Sequence, residues 1–139
     1  ALLGVEVRIA CPEDYKTSPF VINQAHEIYQ DKNLLKITND PHEAVLGANV
    51  LYTDVWASMG QKEEAEERER VFKNFQVNEK LMSLTGKETL FMHCLPAERD
   101  REVTDEVVEA EYSIVFDQAE NRLHVQNAIM IKLSEAYGK

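Results

Sequence analysis

An aspartate, a histidine and a cysteine stand where two apolar stretches of the sequence end. Asp54 follows the first stretch, and His93 and Cys94 close the second, just ahead of a Leu-Pro pair. Imidazole and thiol groups are side chains that enzymes use to move protons, and a carboxylate can hold a positive charge. A later polar segment adds Arg122. These four side chains are the first candidates for a functional site.

The segments around these candidates are predicted to alternate between strands and helices. Apolar, β-branched runs bounded by turn residues predict strands, and Ser, Asp or Asn caps followed by apolar residues at helical spacing predict helices. Strands are predicted at 5–10, 34–38, 50–53, 89–93 and 113–116, and helices at 19–29, 41–46, 62–74, 79–84, 105–110 and from 119 onward. This order predicts an α/β fold, a three-layer Rossmann-like domain with a mostly parallel sheet of about five strands.

A parallel sheet would bring the separate candidates together. Parallel strands end at the same edge of their sheet, and ligands bind beyond that edge in open α/β folds. Asp54 follows the third predicted strand, His93 and Cys94 follow the fourth, and Arg122 follows the fifth. We therefore expect these side chains to face one site.

Taken one by one, the same residues also have structural explanations. A cysteine at a strand end is often buried, His93 could be a satisfied core or loop histidine, and Asp54 could form a turn or a cap. Trp56 is expected to pack near the site. Arg122 favours a function, because the first turn of a helix is an unfavourable place for a cation. The joint occurrence of the candidates is what favours chemistry.

The composition predicts one globular domain over 1–139. The chain has 139 residues, of which 44% are apolar and 29% are charged. A net charge of -10 argues against nucleic acid as a partner, and no apolar run is long enough for a membrane span. The two cysteines are far apart and outside any disulfide or metal-binding pattern. We therefore expect a cytoplasmic protein with no metal and no other cofactor.

Three motifs resemble, in order and spacing, the signatures of the carboxy-terminal half of the ornithine carbamoyltransferases. They are D-V-W-A-S-M-G at 54–60, H-C-L-P-A at 93–97 and A-E-N-R-L-H at 119–124. The resemblance implies one half of a two-lobed transferase, in which this half binds L-ornithine and the other lobe holds most of the carbamoyl phosphate site. The implied reaction transfers the carbamoyl group of carbamoyl phosphate to L-ornithine, giving L-citrulline and phosphate.

The resemblance implies that three residues bind the amino-acid part of ornithine. Asp54 would hold the α-amino group, while Ser58 and Met59 would lie in a loop that closes over the substrate. The physical chemistry agrees, because a charge-assisted bond between a carboxylate and an ammonium contributes roughly 1.5–3 kcal/mol. Backbone amides that lead into a helix amino terminus also suit the substrate carboxylate.

The resemblance places the remaining candidates at the reacting end of the substrates. Cys94 and Leu95 would meet the side-chain amine of ornithine and the carbamoyl group, and His93 belongs to the same motif and is taken as catalytic with them. Arg122 would reach carbamoyl phosphate, because a guanidinium matches phosphate oxygens and stabilises the charge on the leaving group. The implied role of Cys94 is positioning and electrostatics, with no covalent intermediate.

The sequence also departs from the family pattern. The amino-terminal lobe and the strand that opens the ornithine lobe of the family are absent from it, so we expect the isolated chain to be inactive. Loss of a central strand leaves unpaired edges, which predicts self-association as a homodimer through strand edges or the last helix. Two alternatives stay open, a non-catalytic self-associating folding module and a carbamoyltransferase that acts on an acylated ornithine.

Overall fold

The computed structural model describes residues 3–29, 32–57 and 62–138. Strands and helices alternate along most of the chain, as the sequence predicts. The strands are β1 (Val7–Ala10), β2 (Leu35–Thr38), β3 (Val50–Thr53) and β4 (Leu90–His93), and the helices are α1 (Pro19–Ile28), α2 (Pro41–Val45), α3 (Lys62–Phe72), α4 (Glu79–Ser83), α5 (Asp105–Val108) and α6 (Val115–Tyr137). Short 3-10 turns lie at Glu13–Tyr15, Lys32–Leu34 and Lys73–Phe75.

Polar caps set the starts of three helices. Ser18, Asp40 and Asn78 each accept a hydrogen bond from a backbone N–H in the first turn of α1, α2 and α4. Pro19 and Pro41 take the first helical positions, where the missing amide hydrogen costs nothing. The predicted starts of these helices are confirmed.

The strands form two small parallel sheets. In one sheet β1 pairs with β2, with Val7 opposite Leu35, and in the other β3 pairs with β4, with Thr53 opposite His93. The parallel α/β class is therefore confirmed. The prediction of one sheet of about five strands is wrong, because no ladder joins β1 to β3 within the described residues. A cavity of about 420 Å³ is lined by both of these strands.

The predicted strand at 113–116 is also wrong. Ser113 makes a single parallel bridge to Phe91, through Phe91 N–H to Tyr112 O (2.9 Å) and Ile114 N–H to Phe91 O (3.0 Å). The Gln118 N–H then donates to Ile114 O (2.9 Å), so the backbone is already winding into α6. The apolar run 114–116 fits a strand and a buried helix start equally well, and only packing decides between them.

The hydrophobic core surrounds β4. Its members are apolar side chains from α2, β3, α4, β4, α5, the start of α6 and two connecting segments: Val45, Leu51, Val77, Leu81, Met82, Phe91, Val103, Val107, Val108 and Val115. The β1–β2 sheet lies outside this cluster. Among the described residues, two further buried apolar side chains lie near this sheet, Cys11 and Tyr29. The site-bearing strands β3 and β4 therefore belong to the better packed half of the chain.

Helix α6 is exposed along most of its length. Every described residue from Ala119 onward is exposed, and Ile129 and Leu133 have exposed fractions of 51% and 52%. None of the helices in the described part of the chain has the length and apolarity needed to cross a membrane.

Candidate functional site

The register of β3 against β4 puts Asp54 beside Cys94. Thr53 lies opposite His93, so the next residue of each strand emerges at the same edge of the sheet. The Cys94 thiol donates to Asp54 Oδ1 across 2.9 Å, and the Val55 N–H donates to the same oxygen at 2.7 Å. The structure therefore brings together two of the residues that the sequence singles out.

The surroundings keep the Cys94 thiol protonated. Burial raises the pKa of Cys94, and the hydrogen bond to Asp54 raises it further, because a carboxylate disfavours a second negative charge nearby. A hydrogen bond with Tyr52 acts in the opposite direction but does not outweigh them. At neutral pH the thiol is therefore a proton donor to Asp54, and its sulfur, which already accepts from Tyr52, has one further lone pair that can accept a hydrogen bond.

Tyr52 and Gln118 belong to this site, although the sequence analysis did not single them out. The Gln118 side-chain amide donates to the Tyr52 hydroxyl at 3.3 Å. Burial raises the pKa of Tyr52, with contributions from Cys94 and Asp54. A signal was available for Tyr52, because side chains two apart on a strand point to the same face and Tyr52 is two residues before Asp54. No comparable signal marks Gln118.

A cavity extends from this site toward β1. Tyr52, Asp54 and Trp56 line it on one side, and Arg8 and Ala10 of β1 line it on the other. Its volume of about 420 Å³ lies within the usual range of about 300–1,000 Å³ for small-molecule sites. An amino acid is small enough for such a space.

Trp56 packs beside the site, as the sequence analysis predicts. Its ring stacks on Phe72 with a centroid distance of 6.0 Å and an interplanar angle of 30°. The carbonyl of Trp56 accepts from Arg68 Nη1 at 2.9 Å, which ties the start of the 54–60 motif to α3. Ser58 and Met59, which the sequence analysis also predicts to bind ornithine, lie outside the described residues.

His93 points into the protein. Its side chain has no exposed surface, and its Nδ1 accepts a hydrogen bond from the Leu95 N–H at 2.9 Å. Leu95 has a φ of 53°, a left-handed conformation that costs a residue with a side chain roughly 1–2 kcal/mol. His93 therefore contacts the backbone of the motif, whereas Cys94 faces Asp54.

Arg122 lies on α6, one helical turn beyond Gln118. Residues four apart share a face of a helix, so Arg122 is on the same face as the residue that contacts Tyr52. The sequence analysis placed Arg122 in the first turn of its helix, which is wrong because α6 already begins at Val115. Its side chain is exposed, and within the described part of the chain it has no ion-pair partner. The structure thus places Arg122 on the face of α6 that carries Gln118, and no contact joins it to Asp54 or Cys94 within the described residues.

Comparisons with known proteins agree on one family. The family model for the Asp/Orn-binding domain of aspartate/ornithine carbamoyltransferases matches residues 1–133. An ornithine carbamoyltransferase of Prochlorococcus marinus is 58% identical over 94% of this chain and 42% of its own length. Among solved structures, the ornithine carbamoyltransferase of Pyrococcus furiosus has a TM-score of 0.84 at 48% identity, covering 92% of this chain and 41% of that one.

A second solved structure gives the same result. The anabolic ornithine carbamoyltransferase of Campylobacter jejuni has a TM-score of 0.85 at 37% identity, covering 96% of this chain and 45% of that chain. The chain thus spans less than half the length of the relatives it matches.

Proposed function

Because the chain belongs to the aspartate/ornithine carbamoyltransferase family, as its Asp/Orn-binding domain, we propose that it supplies the ornithine site of an ornithine carbamoyltransferase. The proposed reaction is transfer of a carbamoyl group from carbamoyl phosphate to L-ornithine, with L-citrulline and phosphate as products. The support comes from relatives that carry this name and from the pair formed by Asp54 and Cys94.

The pair of Asp54 and Cys94 is the observation that carries the proposal. Ornithine has two amines, and the site offers one carboxylate and one thiol sulfur at the end of a parallel sheet. The Asp54 carboxylate suits the α-ammonium group of the amino acid, which is positively charged at neutral pH. Because the Cys94 thiol donates its hydrogen bond to Asp54, its sulfur can accept one from the side-chain amine.

The proposed chemistry needs that side-chain amine in its neutral form. A lysine-like amine has a pKa of about 10.4, so most of it is protonated at neutral pH and must lose a proton before it attacks. The neutral amine then attacks the carbamoyl carbon to form a tetrahedral intermediate, the C–O bond to phosphate breaks, and the surplus proton of the attacking nitrogen leaves with the phosphate. Cys94 orients the amine and is not itself the nucleophile, because its raised pKa keeps the thiol protonated.

The other predicted residues keep the roles that the family resemblance implies, and His93 takes a supporting role because of its position. Arg122 approaches carbamoyl phosphate from α6 and neutralises charge that develops on the leaving phosphate. Leu95 presents its backbone to the carbamoyl group. Ser58 and Met59 are proposed to close over the amino acid. His93 acts by holding the backbone of its motif, since its side chain is buried and bonded to the Leu95 N–H.

We also propose that the isolated chain self-associates as a homodimer. The facing edges of β1 and β3 are unpaired within the described residues, and Val7 (36%) and Val50 (46%) are partly exposed beside them. Helix α6 adds a second apolar surface at Val125, Ile129 and Leu133. Covering such surfaces is the usual way in which a protein avoids uncontrolled edge pairing.

Both cysteines are free thiols, which supports a reducing compartment such as the cytoplasm.

A complementation assay tests the proposed function. The purified chain is mixed with the separately produced amino-terminal half of the Prochlorococcus marinus enzyme, and citrulline is measured with carbamoyl phosphate and L-ornithine present. We expect citrulline from the mixture, much less from either part alone, and a loss of about 100-fold or more with Asp54→Asn.

Two outcomes would favour the alternatives. Turnover of N-acetyl-L-ornithine in place of L-ornithine would indicate a transferase for an acylated substrate. A folded mixture that forms no product from either amino acid would contradict the proposed reaction and favour a non-catalytic module.

A further inference from the structure

A fully buried carboxylate, Glu102, lies behind the loop that carries Cys94. Neither Glu102 nor His93 has any exposed surface, and Glu102 Oε1 is 3.3 Å from His93 Nε2. Burying a carboxylate is costly unless it is paired or hydrogen-bonded. Position 102 thus carries an ionisable group where an apolar side chain of similar volume would be less costly to bury.

Glu102 and His93 hold the two ends of one loop, residues 94–98. The His93 imidazole accepts from the Leu95 N–H at 2.9 Å, and Glu102 Oε1 accepts from the Glu98 N–H at 2.6 Å. Both bonds satisfy backbone amides that would otherwise be unpaired in a turn with a left-handed residue at Leu95. The two side chains act on opposite ends of the same short segment, and Cys94 begins it.

The position of Glu102 is itself fixed by the backbone. The Val77 N–H donates to the Glu102 carbonyl at 2.9 Å, and the Thr104 N–H donates back to the Val77 carbonyl at 3.0 Å. Val77 and Val103 both belong to the hydrophobic core. Glu102 therefore extends from a rigid base to the loop, which is what a residue that sets the shape of a loop requires.

The hydrogen bonds also define the protonation of His93. Because Nδ1 accepts from the Leu95 N–H, the ring proton must be on Nε2 in the neutral imidazole. Nε2 faces the Glu102 carboxylate at 3.3 Å, although the angle falls short of a regular hydrogen bond and Nε2 has no other partner within the described residues. A carboxylate next to Nε2 favours the tautomer that leaves Nδ1 free to accept.

We propose that Glu102 is a positioning residue, which, through His93 and the Glu98 amide, fixes the 94–98 loop so that the Cys94 thiol meets Asp54. The loop geometry stands on its own contacts, and the consequence for catalysis rests on the proposed function. Glu102 touches neither Asp54 nor Cys94 in the described structure. It acts as an acceptor, so an uncharged acceptor at the same place should preserve the loop.

Amide exchange and thiol alkylation test this proposal without any substrate. The Glu102→Leu variant removes the acceptor at similar volume, Glu102→Gln retains an oxygen, and Glu106→Gln is a matched control on the exposed face of α5. In a Cys11→Ser background, we expect Glu102→Leu to speed exchange of the Leu95 and Glu98 amides about tenfold and to change the alkylation rate of Cys94 by a similar factor. Glu102→Gln and Glu106→Gln should both stay close to the parent.

The outcomes separate positioning from simple packing. If Glu102 only fills space, Glu102→Leu leaves both rates unchanged, which would overturn the proposal, as would a Glu102→Gln variant that behaves like Glu102→Leu. If Glu102→Leu does not fold, the tautomer of His93 in the parent chain tests the proposal instead. We expect a nitrogen-15 imidazole spectrum to show a neutral His93 ring with its proton on Nε2. The His93 signal is assigned by its loss in His93→Gln. A ring protonated on Nδ1 would refute the proposal even if citrulline is formed.

Discussion

At the scale of single residues, the site depends on the hydrogen bond that the Cys94 thiol donates to the Asp54 carboxylate. Burial and the Asp54 carboxylate both raise the pKa of the thiol, and burial is the larger effect. A protonated thiol that donates to a carboxylate offers only its lone pairs to a substrate amine. This arrangement explains how a cysteine can orient an amine while remaining a poor nucleophile.

Replacing Asp54 by asparagine should therefore make Cys94 more reactive. Asparagine retains an oxygen for the Val55 N–H but removes the negative charge, so the pKa of Cys94 should fall and more thiolate should be present at a given pH. We expect the pH profile of iodoacetamide alkylation, measured in a Cys11→Ser background, to shift to lower pH. Its midpoint should stay above that of a free cysteine, because burial remains. Asp14→Asn is the matched control, and equal profiles for the two variants would contradict this explanation.

Sequence reasoning predicted the meeting of Asp54 and Cys94 but missed their supports. Topology was sufficient for the pair, because two parallel strands of known order must end at one edge. Glu102 could not be identified from the sequence, because a glutamate in the charged segment 98–102 is expected to be exposed. In the structure a backbone hydrogen bond joins Glu102 to Val77, and its side chain is buried. His93 was identified as a candidate, but its inward orientation depends on the same tertiary contacts.

At the scale of secondary structure elements, local side-chain chemistry decides where helices begin. Asn78 Oδ1 accepts from the Leu81 N–H at 2.9 Å at the start of α4, and two members of that helix, Leu81 and Met82, lie in the core. Thr104 occupies the same position at the start of α5 but makes no side-chain capping bond, and its hydroxyl is buried without a partner in the described structure. The two caps therefore differ in their expected contribution to stability.

Removing the two caps should have different effects on the free energy of unfolding. Asn78→Ala loses a formed capping bond and should cost about 1 kcal/mol in urea denaturation. Thr104→Ala loses only an unpaired buried hydroxyl, so its effect should be about 0.5 kcal/mol or less. A loss for Thr104→Ala equal to that for Asn78→Ala would show that the Thr104 side chain caps α5 after all.

Elements without such local signals were harder to predict. The caps at Ser18, Asp40 and Asn78 located three helices to within a residue. The segment 113–116 has no capping residue and carries an apolar run. The spacing of its apolar residues therefore cannot distinguish a strand from the buried first turn of α6. Val115 has no exposed surface and packs in the core as a helical residue.

At the scale of the whole molecule, the described structure leaves two kinds of apolar surface uncovered. The edges of β1 and β3 face a common cavity, and α6 is exposed beyond Gln118. A single sheet was expected because alternating strands and helices normally form one parallel sheet. Sequence periodicity identifies strands but cannot show whether a ladder forms between β1 and β3, because strand pairing depends on tertiary packing.

Self-association should respond to changes on the apolar face of α6. Ile129 and Leu133 are four residues apart on this face and are both about half exposed. We expect sedimentation velocity to show a dimer of the chain, and Ile129→Lys with Leu133→Lys to shift it at least partly to monomer. The control is Asn121→Lys with His124→Lys, which adds the same charge on the polar side of the helix, where Asp117, Lys132 and Glu135 also lie. A parent chain that is monomeric at high concentration would refute self-association, and equal effects of the two double variants would exclude α6 as the contact.

The central claim is that the end of the β3–β4 sheet forms an amino-acid site around Asp54. Calorimetric titration of the purified chain with L-ornithine tests it most directly, alongside Asp54→Asn and the control Asp14→Asn. We expect saturable heat for the parent and for Asp14→Asn, and a loss of binding of about tenfold or more for Asp54→Asn. Equal binding by Asp54→Asn, or no heat from the folded parent chain at millimolar ornithine, would contradict it.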